Sequence, residues 1–390
     1  MKIRVGVIFG GESVEHEVSV ISALQAINNI DKEKYEVVPI YISKEKCWYT
    51  GNNLLEIENY KNIDELVSNL KEVTLCKINN EFCLLSTKGL VKKVIDKLDI
   101  AFPIVHGKNV EDGTLAGYLE TTGIPYVGSG VIGSALGQDK IILKQVLKDA
   151  KIPVVDACYF FDYEYLDNKD EVLKNVQKLG YPVVVKPACL GSSVGITYVK
   201  DEKEIEVAIL EAISYDRKIL VEKAVSNLIE VNCSVIGNYK HQDVGVIEQV
   251  ISKNDILTFS DKYEGNGKKN GARKGMVNTD RIIPANISDE LTKQVEKYAK
   301  EVFRTLNLSG VCRIDFLINN KTNEVFVNEP NIIPGSLAFY LWEPIGKTYK
   351  DLLDELIQLG IREYKENSKK VCHFETNILK DFKNNNGVKK

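Results

Sequence analysis

The chain has 390 residues, 44% of them hydrophobic and 27% charged, which is the make-up of a globular protein too long for one core; two to three domains are expected. A net charge of -4 gives no nucleic-acid footprint, and no helix-length apolar run marks a membrane span. Eight singly scattered cysteines with no C-x-x-C pair argue for free thiols in a reducing cytoplasm, and four histidines, none at ligand spacing, argue against a His-based metal site.

In chain order, the first apolar run is short, β-branched and ends in Gly10-Gly11, so it reads as a strand and not as a signal peptide. A helical pattern follows through Val18, Ile21, Leu24 and Ile27. A strand, a glycine turn and a helix N-terminus leave backbone N–H groups and positive dipole charge facing outward, suited to a carboxylate or phosphate. Glu15 and Glu17 stand there too: either Glu15 receives the ammonium of an amino acid, or both are first-turn acids that stabilise the dipole. Residues 36–42 give the next parallel strand, and 2–130 alternates strand and helix as a doubly wound sheet does. Residues 52–95 read as charge-rich and irregular, without chemistry.

Residues 100–105 form another buried strand, with His106-Gly107 and Glu111-Asp112-Gly113 at its carboxyl end, the edge where open α/β sheets bind ligands. His106 is there either as a substrate contact or to fix its loop. Turn residues over 125–130 mark a boundary, and Asp139-Lys140 opens a helix to about Ala150. The run Val183-Val184-Val185-Lys186-Pro187 is a strand with a lysine at its end, costly if buried alone and satisfied by a phosphate. Gly191-Ser192-Ser193-Val194-Gly195 follows, a loop whose N–H groups can wrap phosphate oxygens, and the pair points to a nucleotide.

An apolar strand over 220–225 ends on Glu222, with Glu230 close behind. Either a strand edge with two acids reads an adenine amino group and a ribose diol, or this is a loop with two solvated acids. Residues 230–236 and 244–250 pair around Gly237-Asn238. The glycine- and base-rich stretch 258–282 is a lid over polyphosphate or a solvated loop. After an amphipathic helix over 288–307, residues 313–331 read as a β-hairpin: Ile314 and Phe316 face one way, Arg313 and Asp315 the other, and Val325 and Val327 oppose Phe326. At its far end Asp315, Glu329 and Asn331 meet as two carboxylates and an amide oxygen, hard ligands of the kind Mg²⁺ takes beside nucleotide phosphates, unless the acids are merely solvated. A last helix over 349–364 precedes a polar Lys/Asn-rich tail, and no internal repeat is present.

The order of Gly10-Gly11-Glu12-Ser13-Val14-Glu15-His16-Glu17, His106-Gly107 with Glu111-Asp112-Gly113-Thr114, Gln138-Asp139-Lys140, Val185-Lys186-Pro187, the 191–195 loop, Asp261-Lys262-Tyr263, Arg313-Ile314-Asp315 and Asn328-Glu329-Pro330-Asn331 resembles the D-alanine:D-alanine ligase family of the ATP-grasp superfamily, over about 1–362. The resemblance implies an α/β, three-domain ATP-grasp fold. Its parts would be an N-terminal Rossmann-like substrate domain with a doubly wound parallel sheet over 1–135, a central ATP-grasp subdomain over 136–224, a C-terminal catalytic domain over 225–365 and a polar tail over 366–390. It implies a cytoplasmic homodimer that uses ATP and one or two Mg²⁺ ions, with Mn²⁺ as a substitute. One amino acid's carboxylate is phosphorylated and a second amine attacks the acylphosphate, which feeds peptidoglycan precursor synthesis.

On that resemblance Glu15 holds the first ammonium, His106 lies near its carboxylate, and Ser336 and Leu337 meet the second substrate. Lys140 and Lys186 contact phosphates, Ser192 and Ser193 cover them, Glu222 and Glu230 read adenine and ribose, and Lys223 and Val225 offer backbone to the base. Ser192, Glu15 and Tyr263 form a lid-closing set, Lys262 reaches the transferring phosphate, Arg313 stabilises the oxyanion, and Asp315, Glu329 and Asn331 bind the metal. The chain departs from the family pattern at Val110, where a glycine is expected, by one extra residue between Glu222 and Glu230, and in a shorter, more aromatic stretch over 332–343. The last keeps open a ligase for another amino acid pair or a specialised metabolite, and a non-catalytic nucleotide-binding regulator is the reading from a different class.

Overall fold

The computed structural model describes residues 2–89, 91–191, 194–251 and 280–371. Its strands form three sheets that follow one another along the chain.

The first sheet is built on β1 (Ile3–Gly10), followed by helix α1 (His16–Asn29) and strand β2 (Tyr35–Ile42). β1 runs parallel to β2 on one side and to β7 (Ile100–Pro103) on the other, so the crevice at their carboxyl ends is a topological switch point. Beyond β2 the sheet continues antiparallel through β3 (Trp48–Thr50), β4 (Lys71–Ile78), β5 (Glu81–Ser86) and β6 (Val94–Leu98), with the short helix α2 (Ile63–Ser68) between β3 and β4. Much of the stretch expected to be irregular is therefore an ordered meander. Its charges belong to a one-sided sheet: in β4, Val73 and Leu75 are buried while Thr74 between them is exposed.

Helices α3 (Thr114–Thr122), α4 (Val131–Gln138) and α5 (Lys140–Asp149) lead to the second sheet. It is antiparallel, ordered β10-β9-β11-β8, and comprises β8 (Ala157–Phe161), β9 (Val183–Pro187), β10 (Thr197–Val199) and β11 (Lys218–Lys223). Helices α6 (Asp162–Asp167), α7 (Lys169–Leu179) and α8 (Ile205–Ile213) accompany it, and Val172 and Val176 of α7 and Ile205 and Ile209 of α8 close a core over Val183 and Val185.

The third sheet, also antiparallel, is ordered β15-β14-β12-β16-β17, with β13 (Gln242–Val244) on the end of β12 (Leu228–Gly237). Its other strands are β14 (Glu248–Ile251), β15 (Asp280–Ile282), β16 (Gly310–Asn319) and β17 (Glu324–Asn331). Helix α9 (Asp289–Thr305), capped by Ser288, lays Leu291, Val295, Ala299, Val302 and Phe303 against Val231, Cys233, Ile314 and Phe316.

Two helices cross between these units. Leu143 and Leu147 of α5 belong to the third sheet's core, while Ile141 packs with Ala188 and Leu220 of the second. The last helix, α10 (Tyr349–Asn367), returns to the first sheet, where Leu352, Leu353, Leu356 and Ile357 share a core with Val5, Val7 and Phe9. The Tyr35 hydroxyl donates to Asp354 Oδ1 (2.5 Å) and accepts from Gln358 Nε2 (2.9 Å) across that contact.

The β16–β17 hairpin is present, with one feature that strict alternation misses. Val325 and Val327 are buried in the core, so period two alone would aim Glu329 and Asn331 into the core as well. The register slips between Asp315 and Phe316: Phe316 faces Val327 but Asp315 faces Glu329, so Asn328 is an extra residue. This β-bulge reverses the parity of the strand and turns Glu329 and Asn331 to the side of Asp315.

Between β17 and α10 the chain turns tightly through Gly335–Leu341, where Ser336, Leu337 and Ala338 have φ of 51°, 54° and 51°. Three left-handed residues in a row cost about 1–2 kcal/mol each. Burial of Leu337, Ala338, Leu341 and Trp342 offsets the cost, and Trp342 also donates its indole N–H to Ser234 Oγ (2.9 Å). Trp342→Ala should therefore destabilise the protein by about 3–5 kcal/mol, read as a lower denaturant midpoint. A loss under about 1 kcal/mol would show that this anchor does not hold the turn.

Candidate active site

The three sheets enclose a cleft of about 800 Å³, a size that suits a nucleotide and a small co-substrate. Glu15, His106 and Glu111 line it from the first sheet, Lys186 and Glu222 from the second, and Glu230, Glu248, Arg313, Asp315, Glu329 and Asn331 from the third.

At the first sheet's end, Ser19 ties the two parallel strands together: its Oγ accepts the Gly10 N–H (2.9 Å) and donates to the Ile104 carbonyl (2.7 Å). Ser13 Oγ accepts the Glu15 N–H (3.0 Å), and Gly107 lies over this turn with φ of 90°; a Cβ there would stand 2.2 Å from Ser13 Oγ, so only glycine fits. The two acids of the helix start part company. Glu15 turns to the cleft, where a Cβ on Gly191 would lie 3.3 Å from its Oε2, while Glu17 is exposed and pairs with Lys44 at 3.1 Å. His106 is buried, and its Nε2 shares a hydrogen bond with Ser22 Oγ (3.3 Å). Burial holds the imidazole pKa below its ordinary value despite the neighbouring Glu15, so His106 is neutral at pH 7.

Glu111 belongs to a motif noted in the sequence but was given no role there. Its Oε2 accepts the Gly107 N–H at 2.6 Å, and burial followed by the charge of Glu15 pushes its carboxyl up to about 8. The loop difference at Val110 is absorbed by packing, since Val110 is buried with Val105 and Leu115. A carboxyl raised from 4.5 to about 8 is protonated in the folded state where the unfolded chain has ionised, so its contribution is full below about pH 4.5 and is lost as pH rises through about 8. The ligand-free protein should thus lose melting temperature from about pH 5 to 8, and Glu111→Gln should remove most of that slope. Parallel slopes in the two proteins would contradict the assignment.

Leading into the second sheet, Asp139 caps α5 by accepting the N–H groups of Ile141 (3.0 Å) and Ile142 (3.1 Å), and it pairs with Lys218. This fixes Lys140 and, one turn on, Lys144, on one helix face. Lys140 Nζ donates to the Leu190 carbonyl (2.9 Å) and pairs with Glu329 Oε2 (3.1 Å); burial works against its charge, and Glu329 more than offsets that, so its pKa is raised. Lys144 and Lys186 both pair with Glu222, each at 2.5 Å and on different oxygens, and Lys186 also donates to Asn328 Oδ1 (3.2 Å). Burial opposes ionisation of Glu222, but the two lysines outweigh it and hold the carboxyl down to about 2. The reading of Glu222 as a solvated acid is corrected, because the residue is 2% exposed. Lys223 sends its ammonium to the carbonyls of Gly180 (2.7 Å) and Tyr181 (3.1 Å), and its N–H goes to Asp156 (2.8 Å). Val225 and Glu230 lie on the cleft wall beside it.

The third sheet contributes a row of polar residues in register across four strands: Glu248, Asn232, Asp315 and Glu329. Arg313 holds Asp315 in a two-pronged contact (2.8 and 2.9 Å), and Asn331 Nδ2 donates to Asp315 Oδ2 (3.0 Å). Asp315, Glu329 and Asn331 thus come together with hard oxygen donors, a set that fits Mg²⁺. Among the described residues no cluster of three or more His, Cys, Asp and Glu side chains could hold a metal, so such an ion would complete its shell with oxygens of a bound nucleotide and water.

Not every expected residue joins this cleft. The lining of the last loop stops at Gly335; Ser336 spends its hydroxyl on Gln25 Oε1 (2.6 Å) and its N–H on Ser22 Oγ (3.0 Å), and Leu337 is buried behind the wall. Ser192, Ser193, Lys262 and Tyr263, and the lid expected over 258–282 apart from its last three residues, lie outside the described residues. The sequence reading missed Lys144, Glu111, Asn328 and Glu248. Lys144 had a findable signal, since it stands four residues after Lys140 on a helix that was read correctly.

The chain matches the family description D-ala D-ala ligase N-terminus over residues 4–129 and D-ala D-ala ligase C-terminus over 146–358. It is 41% identical over 378 residues to a D-alanine–D-alanine ligase of Thermosipho melanesiensis, covering 97% of this chain and 98% of that protein. A D-alanine–D-alanine ligase B of Clostridium tetani is 37% identical over 366 residues, 92% of this chain and 94% of that one. Among solved structures, the VanG D-Ala:D-Ser ligase from Enterococcus faecalis superposes with a TM-score of 0.76 at 30% identity, over 92% of this chain and all of that one. The Bacillus anthracis D-alanine–D-alanine ligase complexed with ATP gives 0.65 at 27% identity, over 94% and 99%. No helix among the described residues is long and apolar enough to cross a membrane. With both family descriptions met in order, and with Glu15, Lys140, Lys186 and the carboxylate row all lining one cleft, the chain belongs to the D-alanine–D-alanine ligase family.

Proposed function

We propose that the protein is an ATP-dependent ligase that joins two D-alanines through an acylphosphate for peptidoglycan precursors, working in the cytoplasm as a homodimer. The observation that carries this is a single cleft lined by groups suited to an amino acid and groups suited to a polyphosphate. Glu15 and His106 line it from the first sheet, Lys140 from α5, Lys186 and Glu222 from the second sheet, and Arg313 from the third. Glu15 holds the first substrate's ammonium, and neutral His106 stands by its carboxylate. Lys140 and Lys186 neutralise the phosphates. A carboxylate oxygen attacks the terminal phosphorus, ADP leaves, the second amine then attacks the acyl carbon, and inorganic phosphate departs as the amine gives up its proton. Arg313 faces the oxyanion that forms in the second step. Asp315, Glu329 and Asn331 would hold Mg²⁺, one or two ions with Mn²⁺ as a substitute, which when bound offsets charge on the transferring phosphoryl group.

A second reading keeps this chemistry and changes the acceptor. Ser336 and Leu337 lie behind the cleft wall, and a structural neighbour is named for a D-Ala:D-Ser pair. The non-catalytic reading required loss of a metal ligand or of Arg313, and all four residues line the cleft. The test is ATP-dependent phosphate release with D-alanine beside D-serine, D-lactate and other D- and L-amino acids, with products weighed by mass. Turnover with D-alanine alone and formation of its dipeptide is expected. Turnover only with a mixed pair would move the assignment to the second reading, and silence with every pair would overturn both.

A further inference from the structure

The Glu222 carboxylate is 2% exposed and shared between two lysines that differ in reach. Lys186 lines the cleft and makes a second contact to Asn328, whereas Lys144 stands behind Glu222 and is not among the residues that line it. An anion entering the cleft can therefore draw Lys186 away from Glu222 but cannot reach Lys144.

A buried carboxylate stripped of its counter-charge is strongly destabilised, so if Lys186 were its single partner, binding a phosphate would carry that penalty. Lys144 removes it. Its helix is fixed by the Asp139 cap at one end and by Leu143 and Leu147 in the third sheet's core along its length. Resting on the reading of Glu222 as the adenine contact, we propose that Lys144 is a positioning residue for the nucleotide: it keeps Glu222 ionised and in place while Lys186 exchanges that carboxylate for a phosphate. The oxygen that Lys186 releases then accepts from the 6-amino group of adenine. A guanine carbonyl in the same place would set acceptor against acceptor, so preference for ATP over GTP runs through Lys144 as well.

The experiment is steady-state turnover of the full chain at saturating D-alanine, with ATP and with GTP, for wild type, Lys144→Met, Glu222→Gln and the double variant. Lys144→Met should raise KM for ATP by about tenfold or more with kcat little changed, and should narrow the ATP preference. In the Glu222→Gln background the same change should add less than about twofold, because the charge it serves is gone. Lys144→Gln, which keeps an N–H donor, should fall between and carries the test if the methionine variant does not fold. Equal effects in both backgrounds, or a fall in kcat with KM and base preference unchanged, would overturn the proposal. If Glu222→Gln alone leaves KM for ATP and base preference untouched, the adenine assignment fails as well; if it shifts both while Lys144→Met shifts neither, the assignment stands and this proposal alone falls.

Discussion

Arg313→Met should lower turnover with D-alanine by about 10² to 10³, the usual cost of removing one donor from a developing oxyanion. Arg313 lines the cleft from β16, where Asp315 fixes its guanidinium at 2.8 and 2.9 Å, so it need not reorganise as charge develops. KM for ATP should change much less than kcat, because the nucleotide's own contacts stay in place. Arg313→Lys should recover only part of the loss, since an ammonium supplies the charge without the planar fork that Asp315 grips. Phosphate release and dipeptide mass measure both. Turnover within a few-fold of wild type in the methionine variant would remove the oxyanion assignment.

The second large effect is expected at Glu329. Glu329→Gln takes one of two carboxylates from the proposed Mg²⁺ ligands and leaves Lys140 without its ion-pair partner at 3.1 Å. Charge stabilisation worth several kcal/mol at the phosphoryl group corresponds to a loss on the order of 10² or more in rate. A readout independent of turnover is available: the Mg²⁺ concentration that half-saturates tightening of nucleotide binding should rise. An unchanged Mg²⁺ requirement would falsify the role of Glu329 as a ligand even if the rate fell, and would leave its contribution to its pairings within the protein, that with Lys140 among them.

The glycine turn, the valine run ending in Lys186 and the buried strand before His106 were readable because β-branched runs between turn residues have few alternatives. The hairpin carrying Arg313 and Asp315 was readable from alternation, and the same alternation fails on its second arm. Period two assigns Glu329 and Asn331 to the core side of Val325 and Val327, and only the bulge at Asn328 brings them to Asp315. That the three would meet was the right expectation, and alternation was the wrong reason for it. β4 to β6 were passed over because a sheet with one wet face shows as many charges as a loop. Lys144 and Glu222 could not be joined from sequence, since 78 positions separate partners that lie 2.5 Å apart. Ser336 and Leu337 were placed by resemblance, but in this shorter stretch they sit in a left-handed turn behind the wall.

The contact between α10 and β1 sets an order of events on the ribosome. Val5, Val7 and Phe9 are made long before Leu352, Leu353, Leu356 and Ile357, which close the core that covers them. Domains made first usually fold first. Here the second and third sheets can complete their cores while the first waits, because contacts of such long sequence separation form late. The wall that carries Glu15 and His106 is therefore the last part of the cleft to become rigid. A nascent chain released before α10 is made would hold the second and third sheets and lack a finished first-sheet wall of the cleft.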